Sequence, residues 1–144
     1  MKLAKYCLLM LLVFSPFAEA CSCRDSGLSF EDWVKKNYRD SKHVFVATIT
    51  KSEIIGKPDS FDSVRNEFSI SDSLKVNPDW KYIFTEGNNG TSCATKLTAG
   101  YEYLFFLDKN HVSHCTPKLL LSPMQKEDVL DMFKEIKSKE HNKN

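Results

Sequence analysis

The sequence predicts a mainly-β domain, a small closed or nearly closed barrel with two flanking helices. Three observations predict it. About five runs rich in β-branched and aromatic residues follow one another between turn signals. One amphipathic helical pattern precedes these runs and one follows them. The order never alternates strand, helix, strand, which excludes a doubly wound parallel sheet.

Residues 1–20 read as an export signal. Lys2 and Lys5 give a positive start, Cys7–Phe14 is a short apolar stretch broken by Pro16, and Ala18-Glu19-Ala20 has the small-x-small form of a cleavage site. The apolar stretch is too short for a membrane span, and no later run of about 20 apolar residues exists. Cleavage after Ala20 makes Cys21 the first mature residue. The rival is a lipoprotein signal that acylates Cys21, but Glu19 stands where such signals place a small residue.

Residues 29–38 carry a helical pattern. Ser29 and Asp32 resemble a capping box, and Phe30, Trp33, Val34 and Tyr38 share a face. Strand signals follow at His43–Thr50, at Phe68–Val76 (even spacing broken by Asp72), at Trp80–Thr85, at Tyr101–Leu107 and at His111–Cys115. In the fourth run Tyr101, Tyr103, Phe105 and Leu107 fall on one face. Gly56–Asp59, Asn77–Asp79, Gly87–Gly90, Ala99-Gly100 and Asp108–Asn110 mark turns. A second helix starts at Ser122, with Pro123 at its first position, Gln125 completing a capping box, and Val129, Leu130, Phe133 and Ile136 as its apolar stripe. The pattern places one domain at residues 21–137 and a disordered polar tail at 138–144, with an OB-fold-like five-stranded barrel as the architecture.

Charge and motifs exclude several function classes. The chain has 20 basic and 19 acidic residues; removing residues 1–20 takes Lys2, Lys5 and Glu19 and leaves 18 against 18. A neutral domain is a poor nucleic-acid binder. No Gly-x-Ser-x-Gly elbow, phosphate loop or His-Glu-x-x-His is present, so the sequence reads as a non-enzyme without a cofactor of its own. Asn89-Gly90-Thr91 is a glycosylation sequon in a eukaryotic host. Four cysteines remain after cleavage: Cys21, Cys23, Cys93 and Cys115. In an exported domain they imply two disulfides. Cys21–Cys23 pairing is sterically poor, which leaves two long-range connectivities. A zinc site built on Cys115, His111 and His114 is the rival, weakened by the lack of a Cys-x-x-Cys pair.

The most distinctive feature is the mature start Cys21-Ser22-Cys23. A free α-amine and the carbonyl oxygen of the same residue can chelate one metal ion in a five-membered ring. The amine must be neutral, and with a typical pKa of about 7.7–8.0 a neutral fraction exists near pH 7. Disulfides at mature residues one and three would hold both ligands in place and save ordering entropy. The plainer alternative is that they only stop the terminus fraying.

Over nearly all of Cys21–Ile136 the sequence resembles the netrin-like family, and specifically the inhibitory domain of the tissue inhibitors of metalloproteinases. The resemblance rests on the Cys-x-Cys start, a helix followed by the strand Val44–Ile49, Trp80-Lys81-Tyr82-Ile83-Phe84-Thr85, Thr91-Ser92-Cys93, Gly100-Tyr101-Glu102-Tyr103-Leu104, Cys115 and the helix after Ser122. It implies a five-stranded OB-type barrel, disulfides Cys21–Cys93 and Cys23–Cys115, and an inhibitory wedge of Cys21, Ser22, Cys23, Thr91 and Ser92. In that wedge the Cys21 amine and carbonyl bind the zinc of a target protease and displace its water. Ser22 enters the specificity pocket, and Thr91 and Ser92 lie alongside. The implied protein is a secreted monomer, extracellular or periplasmic, whose partner is a secreted zinc metalloprotease. Zinc comes only from that partner. The family's third barrel disulfide and its carboxy-terminal cysteine-rich domain have no counterpart, the 51–66 loop is modest, and Cys93-Ala94 replaces the usual Cys-Gly. The alternative function is an exported netrin-like binding module, free or lipid-anchored, without inhibitory activity.

Overall fold

The computed structural model describes residue 23 and residues 27–56, 64–87 and 94–141. Along the chain run α1 (Phe30–Asp40), β1 (His43–Ile54), β2 (Val64–Ser73), β3 (Tyr82–Thr85), β4 (Glu102–Leu107), β5 (His111–Val112), β6 (Lys118–Leu121) and α2 (Pro123–His141). The strands form one sheet in the order β5-β3-β2-β1-β4-β6. It curls into a half-barrel. All pairings are antiparallel except β3 with β5, which run parallel.

The centre of this sheet is buried on both faces. Val44 and Val46 of β1, with Leu104 and Phe106 of β4, face the helices and pack with Val34, Tyr38, Val129, Phe133 and Ile136. Phe45, Ala47 and Ile49, with Tyr103, Phe105 and Leu107, face into the curl beside Ile83, Leu97 and Val112. Two-sided burial explains the unbroken apolar stretches Val44–Ala47 and Tyr103–Leu107. Inside the curl Phe45 contacts Phe68, Phe105 and Trp80 at ring-centroid distances of 5.6, 5.5 and 6.2 Å. Tyr101, expected on the same face as Tyr103, precedes β4 and is 53% exposed.

Both helix starts match their sequence signals. Ser29 Oγ accepts from Asp32 N at 3.2 Å and donates to the Asp32 carboxylate at 2.7 Å. Ser122 N donates to Gln125 Oε1 at 3.1 Å while Gln125 N donates to Ser122 Oγ at 3.3 Å. The end of α1 is held from outside the helix. Lys75 Nζ donates to the carbonyls of Tyr38 (2.9 Å), Arg39 (3.3 Å) and Ser41 (2.6 Å). A cation there satisfies orphaned carbonyls and opposes the helix dipole. At the other end of the chain, α2 continues through His141, so residues 138–141, expected as tail, are helical.

The sheet differs from the expected five strands. Residues 118–121, whose short apolar run carried no strand signal of its own, form a sixth, pairing with β4. The fifth strand stops at Val112 rather than Cys115, because Ser113 N donates to Thr116 Oγ1 at 2.9 Å and the chain turns. β2 spans Val64–Ser73, earlier than its even-spaced apolar pattern. Its partners jump from Ala47↔Ile70 to Val46↔Asp72, leaving Ser71 as an extra residue. This bulge moves the strand's even-numbered residues from one face to the other. Phe68 and Ile70 therefore face into the curl while Leu74 faces the helices.

Asp72, the exception in the even pattern, meets Lys126 of α2 at 2.9 Å, and Lys126 also contacts Glu102 of β4 at 2.8 Å. The hydrogen bond from Lys126 holds the Asp72 carboxyl below its ordinary value. Its bonds to Glu102 and Asp72 raise the pKa of Lys126. Farther along β2, Asn66 is fully buried. Its amide nitrogen donates to Ile83 O (3.1 Å) and Thr85 Oγ1 (3.2 Å), and its carbonyl accepts from Ser52 Oγ (2.7 Å). One side chain thus ties β1, β2 and β3 together.

Asn66→Ala is expected to lower unfolding free energy by about 2 kcal/mol or more, since it orphans buried partners on two strands. Chemical denaturation measures it; a change within error of wild type would show that the clip carries no stability. A depressed Asp72 pKa adds stability that is present above the unfolded carboxyl value of about 3.9 and is lost as pH falls through the lower folded value. A raised Lys126 pKa adds stability that is complete below about 10.4 and is lost at higher pH. Lys126→Met should flatten both the acid and the alkaline limb of a stability–pH curve. Unchanged limbs would refute the coupling.

Candidate functional site

The parallel pair sets the geometry of the rim. β3 and β5 run in the same direction, with Phe84 opposite His111 and Thr85 opposite Val112, so both end on one side of the sheet. Phe84 N donates to Asn110 O at 2.8 Å and fixes their stagger. Past β5 the chain closes a tight turn. Thr116 N donates to Ser113 O at 3.2 Å, and the two hydroxyl oxygens lie 3.1 Å apart. His114, expected as a strand residue, sits in this turn, and Cys115 is exposed on it.

Cys23 is joined to Cys115 by a disulfide, with Cα atoms 5.2 Å apart across 92 residues of chain. It is one of the two pairs that the family resemblance implies. As a disulfide, Cys115 is no thiolate ligand for zinc, which removes the metal reading of His111, His114 and Cys115. Among the described residues no three His, Cys, Asp or Glu side chains are placed to hold a metal ion. The bridge sets residue 23 on the exposed rim. From Gly27 (φ +61°) the chain enters the Ser29 cap and α1.

The segment leading to β4 lies beside the ends of β1 and β3 and the start of β2. Ala94, Thr95, Lys96 and Leu97 line a mostly apolar hollow with Thr85, Glu86, Ile54 and Val64. Leu97 O accepts from Ser52 Oγ at 3.4 Å, so the Asn66 clip reaches this segment too. Thr98 N donates to Tyr103 Oη at 3.1 Å. Gly100, at φ +85°, makes the turn into β4, and its N–H donates to Ile49 O at 2.8 Å. That backbone conformation suits glycine and strains other residues.

Of the expected wedge, Cys21, Ser22, Thr91 and Ser92 lie outside the described residues, as does Cys93 with the Cys21–Cys93 pairing. Cys23 is the wedge residue that the structure places.

Sequence reasoning missed a cleft beside the bridge. It runs between Trp33, Lys36 and Asn37 of α1 and the residues from His114 to Lys118, with Cys23 at its margin. Trp33 packs edge-on against Phe106 at 5.4 Å and stacks with the half-exposed Phe30 at 6.3 Å. Burial pushes the Lys118 ammonium below its ordinary pKa. A lysine opening the run Lys118–Leu121 gives no signal of this in the sequence.

No family model matches the chain, and no curated protein matches it in sequence. Among the described residues no helix is long and apolar enough to cross a membrane.

Removing the bridge with Cys23→Ser or Cys115→Ser should cost about 2–5 kcal/mol. The double variant should lose no more than either single one, because both thiols belong to one bond. Thermal unfolding of the three variants tests this, and additive losses would show that the cysteines act separately.

Proposed function

We propose that the protein is an exported inhibitor of zinc metalloendopeptidases that acts through the amine and carbonyl of mature Cys21. The observation that carries this reading is the Cys23–Cys115 bridge, which pins the residue two positions after the mature start to an exposed rim. For a terminus used only as a chain end, such an anchor would do no more than stop fraying. A terminus used as a ligand gains from one, since ordering is completed before binding. The OB-type architecture belongs to the same reading. It is supported by β1 pairing with both β2 and β4, and by the parallel β3–β5 contact.

In this mechanism the Cys21 amine, in its neutral form, and the Cys21 carbonyl oxygen approach the protease's zinc together and take the position of its water. Ser22 projects into the pocket beside the metal. Thr91 and Ser92 buttress the wedge from the segment before Cys93. No bond is made or broken in the inhibitor, so no catalytic residue is required of it. The sheet and α1 act as a stiff base behind the ligands.

The deciding experiment compares mature protein that begins at Cys21 with a form carrying one extra alanine before it. The mature form should inhibit a zinc endopeptidase competitively, and more weakly as pH falls and the amine gains a proton. The extended form should not inhibit, because its Cys21 nitrogen is an amide without an available lone pair. Both should share one amide NMR spectrum outside the amino terminus. Equal inhibition would refute the chelating wedge. An absence of inhibition across a panel of secreted zinc proteases would favour a netrin-like binding module.

A further inference from the structure

The cleft beside the Cys23–Cys115 bridge has a volume of about 320 Å³. Its charges are one-sided: Lys36 and Lys118 line it, and no carboxylate does among the described residues. Lys36 is already paired with Asp40 along α1, at 2.7 Å. Lys118 is different. It is half-buried, and its described hydrogen bond is a long one of 3.3 Å to Ser113 O, a carbonyl that also accepts from Thr116 N. The described residues offer it no carboxylate, and burial lowers its pKa. A partly desolvated ammonium with a single neutral acceptor is poorly satisfied, and a carboxylate is the partner that satisfies it best. The opposite wall is aromatic. Trp33 lines the cleft, and Phe30, 50% exposed, stacks on it.

We propose that this cleft docks an acidic side chain of a partner polypeptide. Lys118 receives the carboxylate, and Trp33 with Phe30 receives the apolar side chain beside it. Charge complementarity selects this occupant, since a purely apolar segment would leave Lys118 unpaired and a basic one would meet a like charge. The proposal does not rest on whether Cys21 engages zinc.

The test uses two blocked peptides, acetyl-Leu-Glu-Leu-amide and its glutamine counterpart, titrated to millimolar concentration into the oxidised mature protein. The readouts are the Trp33 indole N–H and the amides of Ser113 and Thr116 in NMR spectra. The glutamate peptide should shift these signals saturably and bind roughly tenfold more tightly than the glutamine peptide. Lys118→Met keeps the aliphatic stem and should abolish the preference for glutamate while leaving the core amides unmoved. Lys134→Met, at an exposed site on α2, should retain the preference. Equal binding of the two peptides, or no localised shifts, would overturn the proposal. Asp25 lies outside the described residues, two positions from Cys23. A preference for glutamate that emerges only in Asp25→Asn would also overturn it, by showing that the chain supplies its own carboxylate.

Discussion

Burial of β1 and β4 on both faces is the constraint from which the rest of the architecture follows. Two adjacent strands with the apolar stretches Val44–Ala47 and Tyr103–Leu107 need cover above and below. The helices give it on one side, through Val34, Tyr38, Val129 and Phe133. The sheet gives it on the other by curling, which brings Phe68, Ile83 and Val112 over Phe45 and Phe105. A flat sheet would leave that second face in water. Burying each such side chain is worth about 1.5–3 kcal/mol, so an open sheet would forgo most of its inner-face stabilisation.

The curl brings strands distant in sequence into contact, and polar groups fix how they meet. The Ser71 bulge changes the facing of β2 midway, so that one strand serves the inner core at Phe68 and the outer core at Leu74. Asn66 keeps β1, β2 and β3 in register at the end where the rim begins. Lys75 fixes the end of α1 to the chain just beyond β2. The rim turn is closed by the Thr116 hydroxyl, which accepts from Ser113 N and lies against the Ser113 hydroxyl. The bridge attaches the amino-terminal segment to this hydrogen-bonded turn.

What the sequence made legible was local. Ser29-x-x-Asp32 and Ser122-x-x-Gln125 marked both helix starts, because capping chemistry is decided within four residues. The β4 run was plain because its apolar residues are unbroken. β2 was misplaced because a bulge breaks the period on which the reading depends. β6 was missed because a run of three leucines, directly followed by a helix cap, has too little length to show a period. For the site, Cys23 and Cys115 were singled out by cysteine counting and by family resemblance. Lys118 was invisible: it shares its cleft with Trp33, Lys36 and Asn37 of α1, which are far from it in the chain. The partners of a cleft lined by two distant segments leave no trace in either segment alone.

The 92 residues that separate Cys23 from Cys115 have a consequence for the order of events during synthesis. Cys23 is made 92 residues before Cys115 and must wait for β1 to β5 before its partner exists. In the unfolded chain the two thiols are diluted by a long loop, while in the folded chain their Cα atoms sit 5.2 Å apart. Their effective concentration therefore rises only once β5 has docked beside β3 and the turn after it has closed. Oxidation reports on the fold: the bond forms readily in molecules that have reached it and slowly in those that have not. It acts as a latch that retains correctly assembled chains, with no part in guiding them there.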